Sequence, residues 1–351
     1  MKIIHVLNSR IYTGAEKVVC QIIRSFQGDP GVEMVYCSPD SDNVRQMLAL
    51  QGVPFVPMTA LTPGELRRVI REQKPDLIHA HDMRASFVSA LCAGRIPILS
   101  HIHNNAYDAR GLSPKSVAYI LAGVRAKHIF WVSASSFSGY LFHNLFAKKS
   151  SILYNIIDAR QIYGLLESDE ESYRYDLVYV GRLTYQKDPQ RLMRLCARLR
   201  ERKPDLRAAV VGAGELEDET KALCRQLGLE QTVDFLGFRK NPIKIVHDSG
   251  AMILTSRWEG TPMCALEAMA VGTPVVSTPS DGMADLIESG VSGYLGQTDE
   301  ELAQGVLNIL GSPEHRANLA EKAKARFERM NDEANYKQVL AQSYRKWGSK
   351  T

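Results

Sequence analysis

The sequence predicts an α/β fold with two doubly wound parallel sheets, each in its own domain. Short apolar runs rich in β-branched residues alternate with helical patterns, which is typical of parallel βαβ units. A polar, acidic stretch over residues 164–174 interrupts this alternation, which then starts again. A chain of 351 residues that is 45% hydrophobic has the size of two ordinary domains. We therefore expect domains over 1–165 and 166–332, a linker near 160–175, and a C-terminal helix, about 333–351, that packs back on the first domain.

In the first domain, the apolar runs predict strands and the amphipathic runs between them predict helices. The expected strands are KIIHVL, EMVYCS, DLIHAH, RIPILSHIH, HIFWVS and SILYN. The expected helices are AEKVVCQIIRSF, ELRRVIREQ, ASFVSALCAG and SPKSVAYILAGVRAK.

The second domain repeats the scheme. Its expected strands are DLVYVG, LRAAVVGAG, TVDFLGF, AMILTS and TPVVSTP, and its helices include DPQRLMRLCARLRERK and ELEDETKALCRQLG. The chain then continues in two helical segments, SPEHRANLAEKAKARFER and NDEANYKQVLAQSYRKW. Two open sheets of this kind predict a ligand in a central cleft that faces the carboxyl ends of both sets of strands.

Charge and cysteine usage narrow the class of protein. Residues 1–165 contain 18 Lys and Arg against 11 Asp and Glu, a net charge of +7, and the remainder carries −3. No long Lys/Arg-rich run indicates nucleic-acid binding, so the excess favours a basic face for an anionic inner membrane surface or an acidic acceptor, with an ordinary solvated surface as the alternative. The 6 cysteines form no CxxC pair, which argues against a disulfide framework and a zinc site. The N-terminal run is too short for a signal peptide, and the expected localisation is cytoplasmic.

The first strand is followed by a loop that ends in Gly14. A glycine there allows the backbone to come close to a ligand, and the next helix presents its positive N-terminus to the same place. Anion binding and a plain tight turn both remain open from this loop alone. The GxGxxG dinucleotide fingerprint is absent, which disfavours a nicotinamide cofactor.

Histidines occur in pairs at the ends of two strands. His79 and His81 stand in one strand and His101 and His103 in the next, so alternation places both members of each pair on one face. The pairs fit either a structural core or a metal site, although no third ligand with zinc-type spacing is evident. His103, the last before the loop, is expected to face the cleft.

The run DLVYVG ends in Gly181, and the loop after it carries Arg182 and Lys187. Asp188 and Pro189 then have the residue types of an N-cap and a first helical residue. Two cations beside a helix N-terminus make a site for a pyrophosphate, with solvated loop cations as the alternative. Two further strands end in glycines, one at Gly212 and one just before Phe238. These strand ends would leave exposed backbone against which a flat base and a ribose could lie.

The segment EGTPMCALE, residues 259–267, places a carboxylate on each side of a helix start. Glu259 and Gly260 form the loop, Thr261 is expected to cap the helix, and Pro262 suits its first turn. The first N–H groups of the helix, those of Met263 and Cys264, would point toward a phosphate. Glu267 lies in an apolar helix. Its charge would be stabilised there by hydrogen bonds that it accepts either from neighbouring backbone or from paired sugar hydroxyls.

These motifs together resemble family-4 retaining glycosyltransferases of the GT-B fold. The resemblance rests on Glu259 and Glu267 in an E-x7-E pattern and on TGAEK, YVGRLTYQKDP, VVGAGELEDETKALCRQLGLEQTVDFLGF and GVSGYL, all in the family's order. It covers nearly the whole chain. Three departures are Thr13 in place of the usual first glycine of the first loop, NIID in place of NGID at residues 155–158, and Asp285 in place of a frequent Glu in the loop after VVST.

The resemblance implies a nucleotide-sugar donor bound mainly by the C-terminal domain and a glycan or lipid-linked acceptor bound mainly by the N-terminal domain. It implies no cofactor beyond this co-substrate and no obligatory metal. Glu267 would hold the ribose hydroxyls and Glu259 the hydroxyls of the transferred sugar. Arg182 and Lys187 would neutralise the diphosphate as the glycosidic bond breaks. Gly14 would admit the phosphates, and His103 would lie near the anomeric centre.

Two other functions compete with sugar transfer. A nucleotide-sugar epimerase of the same two-domain plan would bind the same donor, and turnover of donor without acceptor would favour it. A non-catalytic nucleotide-sugar-binding subunit would be expected to lack Glu259, Arg182 or Lys187, and all three are present. For the transferase, UDP is the expected nucleotide and bacterial surface polysaccharide synthesis the expected setting, both by resemblance.

Overall fold

The computed structural model describes residues 1–103 and 107–348. The chain divides into two units. The first consists of residues 1–156 together with 332–351, and the second of residues 157–331. Each unit is built on its own parallel sheet.

The first unit contains a seven-stranded sheet in the order β3-β2-β1-β4-β5-β6-β7. Its strands are β1 (Lys2–Leu7), β2 (Glu33–Pro39), β3 (Phe55–Met58), β4 (Leu77–His81), β5 (Ile98–Ile102), β6 (His128–Trp131) and β7 (Ser150–Ile152). Its helices are α1 (Gly14–Ser25), α2 (Asp42–Leu50), α3 (Pro63–Gln73), α4 (Met83–Cys92), α5 (Pro114–Arg125), α6 (Ala134–Ser138) and, from the end of the chain, α15 (Glu333–Gly348), with short 3-10 turns at Tyr107–Ala109 and His143–Lys149.

The second unit contains a six-stranded sheet in the order β10-β9-β8-β11-β12-β13. Its strands are β8 (Tyr175–Val180), β9 (Ala208–Val211), β10 (Val233–Gly237), β11 (Ser249–Leu254), β12 (Val275–Ser277) and β13 (Gly293–Leu295). Its helices are α7 (Ala159–Glu167), α8 (Pro189–Arg202), α9 (Glu217–Gln226), α10 (Ile243–His247), α11 (Met263–Ala270), α12 (Gly282–Leu286), α13 (Asp299–Gly311) and α14 (Pro313–Met330).

Both sheets are doubly wound, as the sequence predicted. The strands pair in parallel, and the strand order reverses between β1 and β4 in the first sheet and between β8 and β11 in the second. Central strands are buried on both faces, which explains why they appear in the sequence as continuous apolar runs. In open α/β sheets, ligands bind outside the carboxyl ends of the strands where the order reverses.

Several elements differ from the sequence expectation. The helix α2 and the strand β3 were not among the expected elements; β3 contains Pro57 and lies at the edge of the sheet beside β2, a position where proline is tolerated. β13 is only three residues long and has too little apolar pattern to be identified. The first half of the expected linker at 160–175 is helical, because α7 occupies Ala159–Glu167; a hydrogen bond from Asn241 Nδ2 to the Leu165 carbonyl (2.7 Å) holds this helix.

The last helix, α15, belongs to the first unit and covers its sheet beside β4. The Tyr344 hydroxyl lies 2.9 Å from His79 Nδ1, and its ring packs edge-on against Phe26. Tyr336, Leu340 and Tyr344 are all buried. None of the helices within residues 1–103 and 107–348 is both long and apolar enough to cross a membrane.

Candidate functional site

Two loops of the second unit leave the sheet where its strand order reverses. One follows β8 and carries residues 181–188, and the other follows β11 and carries residues 255–262. Because β8 and β11 are neighbours in the sheet, the loops run side by side. Thr255 Oγ1 joins them by donating a hydrogen bond to the Asp188 carbonyl (3.0 Å).

A buried ion pair links these loops. Lys187 Nζ donates to Glu259 Oε1, and the two side chains are only 13% and 6% exposed. Ser256 Oγ donates to the same carboxylate oxygen at 2.5 Å. Burial is the largest single influence on Lys187 and disfavours its charge, but the charge and hydrogen bond of Glu259 and the neighbouring Cys264 together outweigh it, and the net effect is a raised pKa for Lys187. Lys187 therefore stays positively charged at neutral pH.

The remaining predicted cation, Arg182, is exposed. Its guanidinium makes no hydrogen bond or ion pair with the residues that the structure describes. Asp188, by contrast, caps α8 as predicted: its Oδ1 accepts from Arg191 N (3.2 Å), and Pro189 is the first helical residue. Arg257 pairs with Asp188 at 2.8 Å. The loop that carries Arg182 and Lys187 is thus anchored at its end.

Helix α11 begins one residue later than the sequence suggested. Thr261 was expected as its N-cap and Pro262 as its first helical residue, but Pro262 is the N-cap and Met263 the first residue of the helix. The Pro262 carbonyl accepts from Ala265 N (3.1 Å), which is the first bond of the helix. Pro262 has an extended ψ of 120°, which suits a residue outside the helix and provides no side-chain cap. Thr261 is buried beside this junction.

The other residues predicted for this helix lie along its first two turns. Met263 is buried, Cys264 half-buried and Glu267 only 5% exposed. Glu267 is thus a carboxylate enclosed by apolar neighbours, as predicted. Whether it serves ribose hydroxyls stays a prediction.

Two glycines, Gly212 and Gly282, lie directly against the backbone of the loops that follow β8 and β11. A Cβ built on Gly212, whose φ is +139°, would lie 2.0 Å from the Gly181 carbonyl oxygen. A Cβ on Gly282 would lie 1.7 Å from the Gly260 carbonyl oxygen. Any side chain at Gly212 or Gly282 would therefore displace a loop that carries predicted donor-site residues. At the next strand end, Phe238 is 64% exposed and leaves its ring available to a planar ligand.

The sequence analysis missed two residues that position Glu259. Ser256 hydrogen-bonds its carboxylate, and Asp281 Oδ2 accepts from its backbone N–H at 3.3 Å. Ser256 is the last residue of the expected strand AMILTS, only three residues before Glu259, and this position was the available signal. Nothing local in the sequence links Asp281 to Glu259, because the contact is made between loops.

The first unit contains the two other predicted residues. Gly14 is the first residue of α1, and Thr13 is its N-cap. Glu16 Oε2 accepts from both Thr13 N (2.8 Å) and Thr13 Oγ1 (2.6 Å), so the loop that ends in Gly14 is held by a capping box. His103 follows β5 and is buried.

His103 borders a cavity of about 500 Å³ at the carboxyl ends of β4 and β5. Polar groups from Asn8, Asp82, Arg84, Lys115 and Tyr119 line the same cavity. Asp82 caps α4, with Oδ1 2.7 Å from Ala85 N, and burial raises its pKa to about 6 against the opposing effect of backbone hydrogen bonds. Asp82 also adopts a φ of +99°, a strained conformation for a residue with a side chain. Such strain is often found at functional sites.

The paired histidines lie on one face of the sheet, as alternation predicted. The ring centroids are 4.2 Å apart for His79 and His81 and 4.3 Å apart for His101 and His103. His5, from β1, joins them, because His5 pairs with His79 across the sheet. In the described part of the chain, two groups of three ring nitrogens are close enough to ligate one metal ion: those of His5, His79 and His81, and those of His81, His101 and His103.

Comparison with known proteins assigns each unit to a family of transferases. Residues 12–161 match the model described as "Glycosyltransferase Family 4", and residues 167–326 match "Glycosyl transferases group 1". An uncharacterized glycosyltransferase of Methanocaldococcus jannaschii is 29% identical over 235 residues, 61% of this chain but only 58% of that protein, less than two thirds of its length. The lipopolysaccharide 1,6-galactosyltransferase of Salmonella typhimurium is 25% identical over 81% of this chain and 82% of its own.

A solved structure shares the whole fold. The crystal structure of Anabaena Alr3699/HepE in complex with UDP and glucose has a TM-score of 0.86, covering 99% of this chain and 100% of that chain at 22% identity. The family matches extend over both units, and the shared architecture extends over nearly every residue. This chain therefore belongs to the GT-B glycosyltransferases, with a first unit of the family-4 type and a second of the group-1 type.

Proposed function

We propose that this chain is a retaining glycosyltransferase that moves a hexose or N-acetylhexosamine from a UDP-linked sugar to a glycan or lipid-linked acceptor. Its setting is the synthesis of a bacterial surface polysaccharide: capsule, exopolysaccharide or lipopolysaccharide. The Lys187–Glu259 pair beside the start of α11 carries the proposal, because a diphosphate needs a cation and a sugar needs a fixed hydrogen-bond acceptor. The family, the Salmonella galactosyltransferase and the UDP and glucose bound to HepE support it.

In this proposal the donor lies along the edge of the second sheet. Arg182, which is exposed, and Lys187 bind the diphosphate, together with the first backbone N–H groups of α11. Glu259 accepts hydrogen bonds from the hydroxyls of the transferred sugar, and Glu267, one to two turns into α11, accepts those of the ribose. Ser256 and Lys187 fix the position of the Glu259 carboxylate before the donor binds.

The reaction breaks the bond between the anomeric carbon and the diphosphate oxygen. The electron pair stays on that oxygen, where Lys187 and Arg182 stabilise the new charge without a metal ion. The acceptor oxygen attacks from the same face, and its proton passes to the leaving phosphate oxygen. Configuration is thereby retained, and no side chain has to act as a general base.

Binding measurements with two glutamine variants test this division of roles. Glu259→Gln is expected to reduce transfer about 100-fold or more while the Kd for UDP, measured by calorimetry, changes little. Glu267→Gln is expected to weaken UDP binding by about tenfold, because it removes charged hydrogen bonds to the ribose. Glu300→Gln is the matched control, since Glu300 is exposed and pairs with two surface arginines of α8. Equal losses of UDP affinity at 259 and 267 would contradict the assignment, and no UDP binding by the wild type would exclude UDP.

We also propose that the first unit binds an anionic membrane surface through α5. Val117, Leu121 and Val124 are exposed at helical spacing on one face of this helix. The segment His143–Lys149 packs beside it through Phe146, whose ring lies where Gly123 lacks a side chain, and adds exposed Leu145. Exposed leucines and valines within a unit of positive charge suit a surface of acidic lipids. An enzyme with a lipid-linked acceptor needs such a contact.

A further inference from the structure

The cavity of the first unit lies between two helices that both begin beside it. Helices α4 and α5 start at Met83 and Pro114, and residues of their first two turns line the cavity. Its volume of about 500 Å³ suits a small molecule or part of a larger one. Most of its wall is apolar and belongs to, or packs against, the buried cluster between β5 and these helices. The apolar lining residues are Met83, Phe87, Ile102, Ala118 and Tyr119.

Arg84 and Lys115 place positive charge at the rim of this cavity. Each is the second residue of its helix, and each is exposed although it lines the cavity. With the described residues, the Arg84 guanidinium forms neither a hydrogen bond nor an ion pair. Lys115 pairs with Asp108 at 3.2 Å, but the two side chains are 43% and 55% exposed, and such surface pairs are weak. Both cations are therefore able to turn to a ligand.

The other ionisable groups of the cavity do not cancel this charge. Asp82 lines the cavity, and its carboxylate accepts hydrogen bonds from the backbone N–H groups of Asn8, Arg84 and Ala85. His103 is neutral at pH 7.5, because burial lowers its pKa to about 3. Two cations and one carboxylate thus leave an excess of positive charge among the lining residues. The cavity suits an anion with an apolar part.

Helix α5 separates the cavity from the apolar face that is proposed above to touch the membrane. Lys115 and Tyr119 line the cavity, whereas Val117, Leu121 and Val124 are exposed. With about 3.6 residues per turn, these two sets lie on opposite sides of a helix about 10 Å across. If α5 lies on a membrane, the cavity is therefore about one helix diameter away from the acyl chains, at the level of the lipid headgroups.

We propose that this cavity binds the phosphate of a lipid-linked acceptor, with Arg84 and Lys115 as its ligands and the apolar wall against the first part of the lipid chain. The Arg84 guanidinium can hold two phosphate oxygens at once, and Lys115 adds a point charge. The acceptor is thereby narrowed to a molecule carried on a lipid phosphate or diphosphate. That this molecule receives the sugar rests on the function proposed above, whereas the binding of a lipid phosphate does not.

A free phosphorylated sugar is the competing ligand for two cations. Such a molecule is polar on every side. Placed against Met83, Phe87 and Ile102, its hydroxyls would leave water without gaining hydrogen-bond partners, which is costly. A lipid phosphate has an anion for the rim and a chain for the wall, and it comes from the surface that the exposed face of α5 suits. The geometry therefore favours the lipid.

Vesicle binding by the full-length chain tests this proposal without any sugar donor. Phosphatidylcholine vesicles carry polyprenyl diphosphate, the parent polyprenol, or phosphatidylglycerol at the same surface charge as the diphosphate. The wild type is expected to bind the diphosphate vesicles about tenfold or more tightly than the phosphatidylglycerol vesicles, because specific charged hydrogen bonds add to the attraction that both share. The polyprenol vesicles should bind most weakly.

The Arg84→Gln/Lys115→Gln double variant should lose the preference for the diphosphate vesicles. The matched control is Arg71→Gln/Lys74→Gln, which removes the same charge from the exposed end of α3 and should keep the preference. Arg182→Gln tests whether the diphosphate binds instead to the candidate donor site of the second unit.

Four results would overturn the proposal. They are equal affinity for the two anionic vesicles, a preference that survives in the double variant, a preference lost in Arg182→Gln, and competition by inorganic diphosphate as strong as that by the lipid, which would indicate a site for free phosphate. If the double variant does not fold, the wild-type preference and the competition still decide. A wild type that shows the preference but transfers no sugar would count only against the proposed function.

Discussion

The histidine cluster makes the stability of the first unit strongly dependent on pH. The five side chains of His5, His79, His81, His101 and His103 are buried, and burial lowers the pKa of each, to about 3 for His5 and His103. In the unfolded chain each histidine titrates near its ordinary pKa of about 6.5. Below that pH the unfolded state binds more protons than the folded state, so stability falls as the pH falls, and it continues to fall toward the folded pKa values.

The expected size of the effect is large. At pH 5.5, one histidine that stays neutral when folded contributes a loss of about 1.4 kcal/mol, and five contribute about 7 kcal/mol. Asp82 acts in the opposite direction, because its pKa is raised to about 6, and it offsets roughly 1 kcal/mol. The net loss of about 6 kcal/mol between pH 7.5 and 5.5 is comparable to the whole stability of an ordinary domain, about 5–15 kcal/mol.

Urea unfolding at pH 7.5, 6.5 and 5.5 measures this loss. Trp131 is buried in the first unit, so replacement of Trp258 and Trp347 by Phe leaves its fluorescence as a probe of that unit. The control is His101→Phe, which removes one titrating group without breaking a hydrogen bond of the cluster and should reduce the loss by about 1.4 kcal/mol. A loss below about 2 kcal/mol in the wild type would refute the reasoning, because the cluster would then be protonated or hydrated in the folded state.

Two further predictions concern the loops and the membrane. Gly282→Ala places a methyl group against the Gly260 carbonyl and should destabilise the second unit by about 3 kcal/mol in urea unfolding. Gly311→Ala, which has open space around its Cβ, should be neutral. Equal effects of the two substitutions would contradict the close approach of Gly282 to Gly260. Flotation with acidic liposomes should show binding that weakens in salt and is lost in Leu121→Glu but kept in Leu50→Glu, a control at a leucine of α2 that is even more exposed (68% against 42%). Binding unchanged by Leu121→Glu would exclude the α5 face.

The sequence was sufficient to predict the doubly wound architecture and most strands, because buried parallel strands leave continuous apolar runs. It failed where a local signal contradicts a tertiary one. Pro57 disfavours a strand, yet β3 forms because the edge position requires fewer of its backbone donors. The start of α11 was misplaced by one residue because Thr261 is a good N-cap by type, although Pro262 occupies that position.

In the candidate site, too, the sequence predicted what depends on local signals and missed what depends on tertiary contacts. Lys187 and Glu259 were identified from their places after two strands, and the structure brings them into contact. Asp281 was missed because its contact with Glu259 depends on how close two loops lie in the fold. The spacing of residues along the sequence does not indicate that distance. Alternation predicted that each histidine pair shares a face. Only the strand order, with β1 beside β4, brings His5 within hydrogen-bond distance of His81.

The return of α15 to the first unit constrains the order in which the protein folds during synthesis. Residues 332–351 complete a unit that the chain begins at residue 1, and the whole second unit, 157–331, is translated in between. Until α15 emerges from the ribosome, His79 lacks the Tyr344 hydroxyl and the apolar surface beside β4 stays uncovered. The nascent first unit must therefore wait, incomplete, while the second unit is made and folds.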